Sequence, residues 1–237
     1  MSGRSFSQRR LAAASVLAAW SGLFWFLIIT DRVDLYLSTR TSWVVPMAAG
    51  GLAAVALGLV LAGRSSRPEP VRVREAVIMT LLVTPVVLLV TLPPSTLGSF
   101  SAPKKAQFSG SALSTIYGRF DETSEITMLT VAAGETSDEG SRLLATRAGA
   151  EVGFVGFVAR DMSAEADELM LSRYVVTCCA ADATVVQVRV VNVTPGLFGP
   201  DDWIEVRGQI YPIGREVIVV ASSIEEVPRP DRPYLTP

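Results

Sequence analysis

Histidine is absent from the whole 237-residue chain. That removes imidazole acid–base catalysis, Ser-His-Asp triads and every metal site that needs an imidazole ligand. Only two cysteines occur, side by side as Cys178-Cys179, too few for a four-cysteine zinc site. A Walker-type phosphate loop and a nucleophile elbow are also missing, so no enzyme is expected. Charge is missing too, from three long stretches in the first third.

Those stretches run over 11–29, 43–62 and 76–92, and none holds Asp, Glu, Lys or Arg. A bilayer core of about 30 Å needs roughly 20 apolar residues as a helix. We therefore read residues 1–92 as a transmembrane region of three spans, surrounded by membrane lipid. The first run is too long for a signal peptide's apolar core, and no small-x-small cleavage site precedes Thr30. Intramembrane charges mark ion and proton pathways, so their absence argues against a pump or channel made by this chain alone. Gly50, Ala54, Gly58 and Ala62 place a small residue at every fourth position of the second span. Such a ridge is a helix-packing face, for another helix of this chain or for a separate membrane protein. Pro85 lies inside the third run and removes one backbone donor, with Thr80 or Thr84 near enough to satisfy the freed carbonyl.

Arginine sets the expected orientation. Arg4, Arg9 and Arg10 precede the first span, and Arg64, Arg67, Arg72 and Arg74 lie between the second and third. Keeping these inside a cell membrane puts the N-terminus in the cytoplasm and everything after Leu92 outside. If the Pro85 stretch does not span, the answer inverts. Charge also divides along the chain. Residues 1–92 carry nine arginines against four acids, a balance of +5, and residues 93–237 balance at −7. An acidic domain repels phosphate, so nucleic acid is not an expected partner.

Pro93 and Pro94 open a linker over 93–106. Residues 107–150 read as a mixed α/β lead-in, with a strand expected over Ile126 to Val131 and a helix over Ser141 to Ala148. From 151 to 227 five short strand patterns follow, over 151–160, 169–179, 184–193, 203–210 and 216–224, with an acidic, helical connector at Ser163 to Glu168. We read them as a mainly-β soluble domain. An OB-like small barrel is the nearest common architecture, and a β-sandwich is the alternative. The tail, 228–237, holds four prolines and should be extended.

Within that domain three readings of Cys178 and Cys179 stay open. They are two small buried apolar residues, a strained vicinal disulfide, or a thiol pair that binds a soft metal ion such as zinc or copper. If both lie in the strand, their side chains point to opposite faces. Asp182 adds an oxygen ligand to that site or is a turn residue. Asp201 and Asp202 read as a turn before Trp203, with a hard-cation site as the alternative. Trp203 reads as a structural anchor in the core.

The segments LPPSTLGSF (92–100), GFVGFVAR (153–160), LSRYVVTCCAADA (171–183), DDWIEVRGQI (201–210) and PYLTP (233–237) resemble the YcgQ-like family of bacterial membrane proteins. The Cys-Cys-Ala-Ala-Asp-Ala run carries most of the resemblance. The chain departs from the family at Thr184-Val185-Val186, where a Pro-Val-Gly-like turn is expected. The resemblance implies a non-enzymatic accessory subunit of a polytopic permease, encoded beside it. An extracytoplasmic domain that binds a ligand or metal fits that role, and an independent membrane-tethered thiol or metal-binding module is the alternative.

Overall fold

The computed structural model describes residues 5–62, 64–65, 70–92, 97–102, 125–159 and 167–236. Two compact units divide near Pro94. The first holds three helices, α1 (Gln8–Ile29), α2 (Val44–Ala62) and α3 (Val73–Thr91). Each is long and apolar enough to cross a membrane. At 1.5 Å per residue the shortest of them reach about 28 Å, close to the hydrocarbon thickness.

Leu23 and Leu27 of α1 cluster with Val86 of α3, and α1 packs on α2, where Val45, Ala49 and Ala56 are buried. The Ser21 hydroxyl donates to the Ala49 carbonyl at 2.8 Å across this contact. The start of α1, the end of α2 and the start of α3 share one end of the unit. There the Arg10 guanidinium donates to the Ala62 carbonyl at 2.6 Å, and Arg9 pairs with Glu75 at 3.2 Å. A basic cluster at one end is what the arginine count anticipated. The Pro85 expectation needs correcting. Thr80 and Thr84 donate to the carbonyls of Ala76 and Thr80, one turn back in each case. The carbonyl that loses its backbone donor to Pro85 is that of Leu81; the Trp20 indole N–H of α1 reaches the next one, the Leu82 carbonyl, at 3.1 Å.

In the second unit, the described residues after 124 open with two short helices, α4 (Met128–Glu135) and α5 (Asp138–Thr146). The strand expected at Ile126 to Val131 is therefore a helix. Thr127 caps it by accepting the Thr130 N–H at 3.2 Å, while the Thr130 hydroxyl accepts the Thr127 N–H at 2.7 Å. Met128, Val131 and Ala132 then fall at helical spacing on one face, and all three are buried in the domain core. Most of the linker and the first part of the lead-in, at 93–96 and 103–124, lie outside the described residues, as does most of the connector expected at Ser163 to Glu168.

Five strands follow, β1 (Glu151–Ala159), β2 (Glu168–Val175), β3 (Thr184–Val191), β4 (Trp203–Ile213) and β5 (Glu216–Glu226). They pair in the cyclic order β1-β2-β3-β5-β4, and β4 returns to β1, closing the sheet on itself. Every pairing is antiparallel except β3 with β5, which is parallel. Closure removes the open edges that would otherwise invite pairing with other chains. The pattern on β4 shows the period of two. Ile204, Val206 and Ile210 are fully buried, whereas Arg207 and Gln209 between them are exposed. A bulge falls between Arg207 and Gly208, and a Cβ at Gly208 would overlap the Val220 carbonyl. α4 and α5 contribute Val131 and Leu144, both fully buried, to the same core.

Candidate functional site

β2 ends at Val175, four residues before the strand pattern predicted. The cause is Asp182. Its Oδ2 accepts the Cys178 N–H at 2.8 Å, and its Oδ1 accepts those of Thr177 at 3.3 Å and Cys179 at 3.4 Å. Those three amides gather on one carboxylate, and the cysteines lie beyond the end of β2, between it and β3. Ala180–Asp182 forms a single 3-10 turn that returns the chain into β3. The reading of two cysteines on opposite faces of a strand is thus corrected. So is the buried reading, since Cys178 is exposed and Cys179 partly so, and no disulfide joins them. Their sulfurs lie 3.7 Å apart. Donor atoms of Cys178, Cys179 and Asp182 all lie within 4.8 Å of one another. Thr184-Val185-Val186, the point of departure from the family pattern, opens β3 and pairs with Val175, Tyr174 and Arg173.

The thiol and the carboxylate set each other's protonation. The Asp182 carboxylate beside Cys178 pushes its thiol up to about 11, and the Cys179 sulfur, toward which the Cys178 S–H donates at 3.7 Å, adds to the effect. Partial burial pushes Asp182 up. The Cys178 thiol and the three backbone N–H groups outweigh that and hold the carboxyl below its ordinary range. At neutral pH this is a protonated thiol against an ionised carboxylate, a resting arrangement with little thiolate to attack an electrophile.

What braces the loop was not visible as a site in the sequence. The tail runs beside the end of β2, where the Leu235 N–H donates to the Tyr174 carbonyl at 2.8 Å and the Val176 N–H to the Leu235 carbonyl at 3.0 Å. Arg173 ties the tail down from the other side, donating to the carbonyls of Pro233 at 3.2 Å and Arg232 at 2.9 Å. Burial lowers the Arg173 guanidinium from its usual value, yet it stays cationic. The buried Tyr174 hydroxyl donates to the Gly98 carbonyl at 3.0 Å and bonds the Ser101 hydroxyl at 2.6 Å. Residues 97–102, expected in a linker, are thus held on the β domain, with Ala102 and Ser99 buried.

Asp201 and Asp202 are turn residues here. Asp201 has a left-handed backbone, φ 73°, and accepts both the backbone N–H and the hydroxyl of Ser99, at 2.5 and 2.9 Å. Asp202 accepts the Gly199 N–H at 2.6 Å. Trp203 is half-buried rather than a deep core anchor. Its ring lies 5.8 Å from that of Phe157, under the Arg173 guanidinium.

Among the described residues nothing packs on the small-residue ridge. Gly50, Ala54, Gly58 and Ala62 are all exposed, on a different side of α2 from the Val45, Ala49 and Ala56 contact. No other side chain comes within 4 Å of a Cβ built at Gly50 or Gly58.

These features define a class, a mainly-β domain carried by a chain with three helices long enough to span a membrane. Residues 138–237 match the DUF1980 C-terminal domain, an uncharacterised family. No curated protein matches the chain.

Proposed function

We propose that this chain is a non-enzymatic, membrane-anchored accessory subunit of a polytopic permease, of the YcgQ-like kind. The observation that carries the reading is the exposed ridge Gly50, Ala54, Gly58 and Ala62. In lipid, helices associate by close packing rather than by the hydrophobic effect, and small residues at every fourth position permit that approach. A ridge left open by its own bundle is available to a partner helix. The β domain, OB-like in its strand order, stands outside the membrane and presents its loops near the partner's pore. The arginines gathered at one end of the helical unit support that orientation, since three spans starting from a cytoplasmic basic end finish on the other side of the membrane. Co-expression with a polytopic permease of the kind the resemblance implies tests the reading. Co-purification of the two proteins, lost in an Ala54→Leu/Gly58→Leu variant that still inserts, is the expected result. Equal recovery with wild type and variant contradicts it.

A second reading is a membrane-tethered thiol or metal-binding module that acts alone. The convergence of Cys178, Cys179 and Asp182 favours it.

A further inference from the structure

We infer that Cys178, Cys179 and Asp182 form an open, three-donor site for a borderline divalent cation of the zinc class, placed at the surface so that the ion can be exchanged. The inference deepens the second reading above, and it stands whether or not a permease engages the helices.

The sulfur separation selects the geometry. Zinc–sulfur bonds of about 2.3 Å at a tetrahedral angle place two sulfurs about 3.8 Å apart. The two thiols stand 3.7 Å apart. A linear two-sulfur arrangement, the simplest one for monovalent copper, would need roughly 4.6 Å at the same bond length. The third donor points the same way. A carboxylate oxygen beside two thiolates suits zinc, whereas monovalent copper favours sulfur alone.

Asp182 is already oriented for the task. A carboxylate offers about four lone-pair directions. Three of them take the N–H groups of Thr177, Cys178 and Cys179. No backbone amide takes the fourth, and the two sulfurs lie within 4.8 Å of the carboxylate. A cation entering between the sulfurs and the carboxylate displaces the thiol proton of Cys178 and that of Cys179. Both protons leave to solvent, two metal–sulfur bonds form, and no electron is transferred. The loop need not refold, because backbone amides rather than the ion hold Asp182.

Among the described residues the cluster holds three donors and no fourth. Zinc completes four-coordination, so one position is left for water or for a donor from another molecule. Closed sites retain zinc, and open ones exchange it. Cys178 is exposed, which gives an acceptor access. The acidic balance of −7 over residues 93–237 raises the local cation concentration.

The test is a titration of the full chain, purified in detergent under reducing conditions without a permease, against Zn(II), Co(II) and Cu(I) in turn. The expected result is one Zn(II) per chain, with Co(II) giving thiolate charge-transfer and tetrahedral ligand-field bands. Cys178→Ser/Cys179→Ser should abolish both signals with an unchanged melting temperature. Asp182→Asn keeps an oxygen for the amides but loses the anionic ligand, and should weaken Zn(II) on the order of 10–100-fold. Binding of Cu(I) without Zn(II) overturns the divalent site while leaving the thiol reading intact. No binding of any of the three metals, or binding unaffected by the double serine variant, overturns both.

Discussion

Replacing Glu135 by Gln should stabilise the β domain above neutral pH and leave it unchanged in acid. Glu135 ends α4, and its carboxylate accepts the Val217 N–H at the start of β5 at 2.8 Å. Burial pushes this carboxyl up from 4.5 to about 7; the Val217 bond opposes the shift, and the neighbouring Glu216 adds to it. A folded-state value above the unfolded one means that the unfolded chain loses its proton first as pH rises. The stability of the neutral form is therefore fully present below about pH 4.5 and is lost progressively up to about pH 7. At about 1.4 kcal/mol per unit the loss approaches roughly 3 kcal/mol, an upper bound for a group still partly reached by water. Glutamine is neutral throughout and its carbonyl can still accept the Val217 N–H. Hydrogen exchange of the barrel amides in detergent, from pH 4.5 to 8.5, reads the difference after correction for intrinsic exchange. Wild type and Glu135→Gln should coincide at the acid end and diverge through pH 7, with the variant more protected. A constant offset at all pH values, or a variant less stable at pH 8, refutes the argument.

Three further outcomes follow from the packing and the loop. Gly208→Val forces a side chain into the Val220 carbonyl across the bulge, and thermal unfolding should show a loss of about 1–3 kcal/mol or more. Arg173→Met leaves the Pro233 and Arg232 carbonyls without their donor. Limited proteolysis should then cut the tail faster, with a stability loss of about 1–3 kcal/mol. Cys178 is exposed but protonated, so alkylation should be slow at pH 7 and rise about tenfold per pH unit until about pH 11. In Asp182→Asn the rise should begin at lower pH, because the anion that retains the proton is gone.

The parts legible from the chain are those where a single period repeats. Three uncharged runs became three helices, and the alternation Ile204, Val206, Ile210 became a strand with one buried face. Ring closure is a matter of long-range pairing, β4 with β1 and β3 with β5, and no local pattern encodes it. Ile126 to Val131 misled because a short apolar run fits either period. The Thr127–Thr130 cap and burial against the barrel decided for helix. The Cys178–Cys179–Asp182 convergence was partly visible, since the three residues are close in sequence. The loop that brings them together depends on one carboxylate collecting three amides, which overrides the β-branched strand pattern leading up to Thr177. The brace around Arg173 and Tyr174 was legible only as resemblance. Residues from all five segments that carry the family likeness meet there, through Gly98, Val155, Arg173, Trp203 and Pro233.

The proposed orientation puts the β domain on the far side of the membrane from the arginine cluster. A single cysteine at the exposed Ser222, in a chain whose Cys178 and Cys179 are replaced by serine, allows this to be measured directly in intact cells. A membrane-impermeant maleimide should label it without permeabilisation. Labelling only after the membrane is opened would place the domain in the cytoplasm and contradict the account.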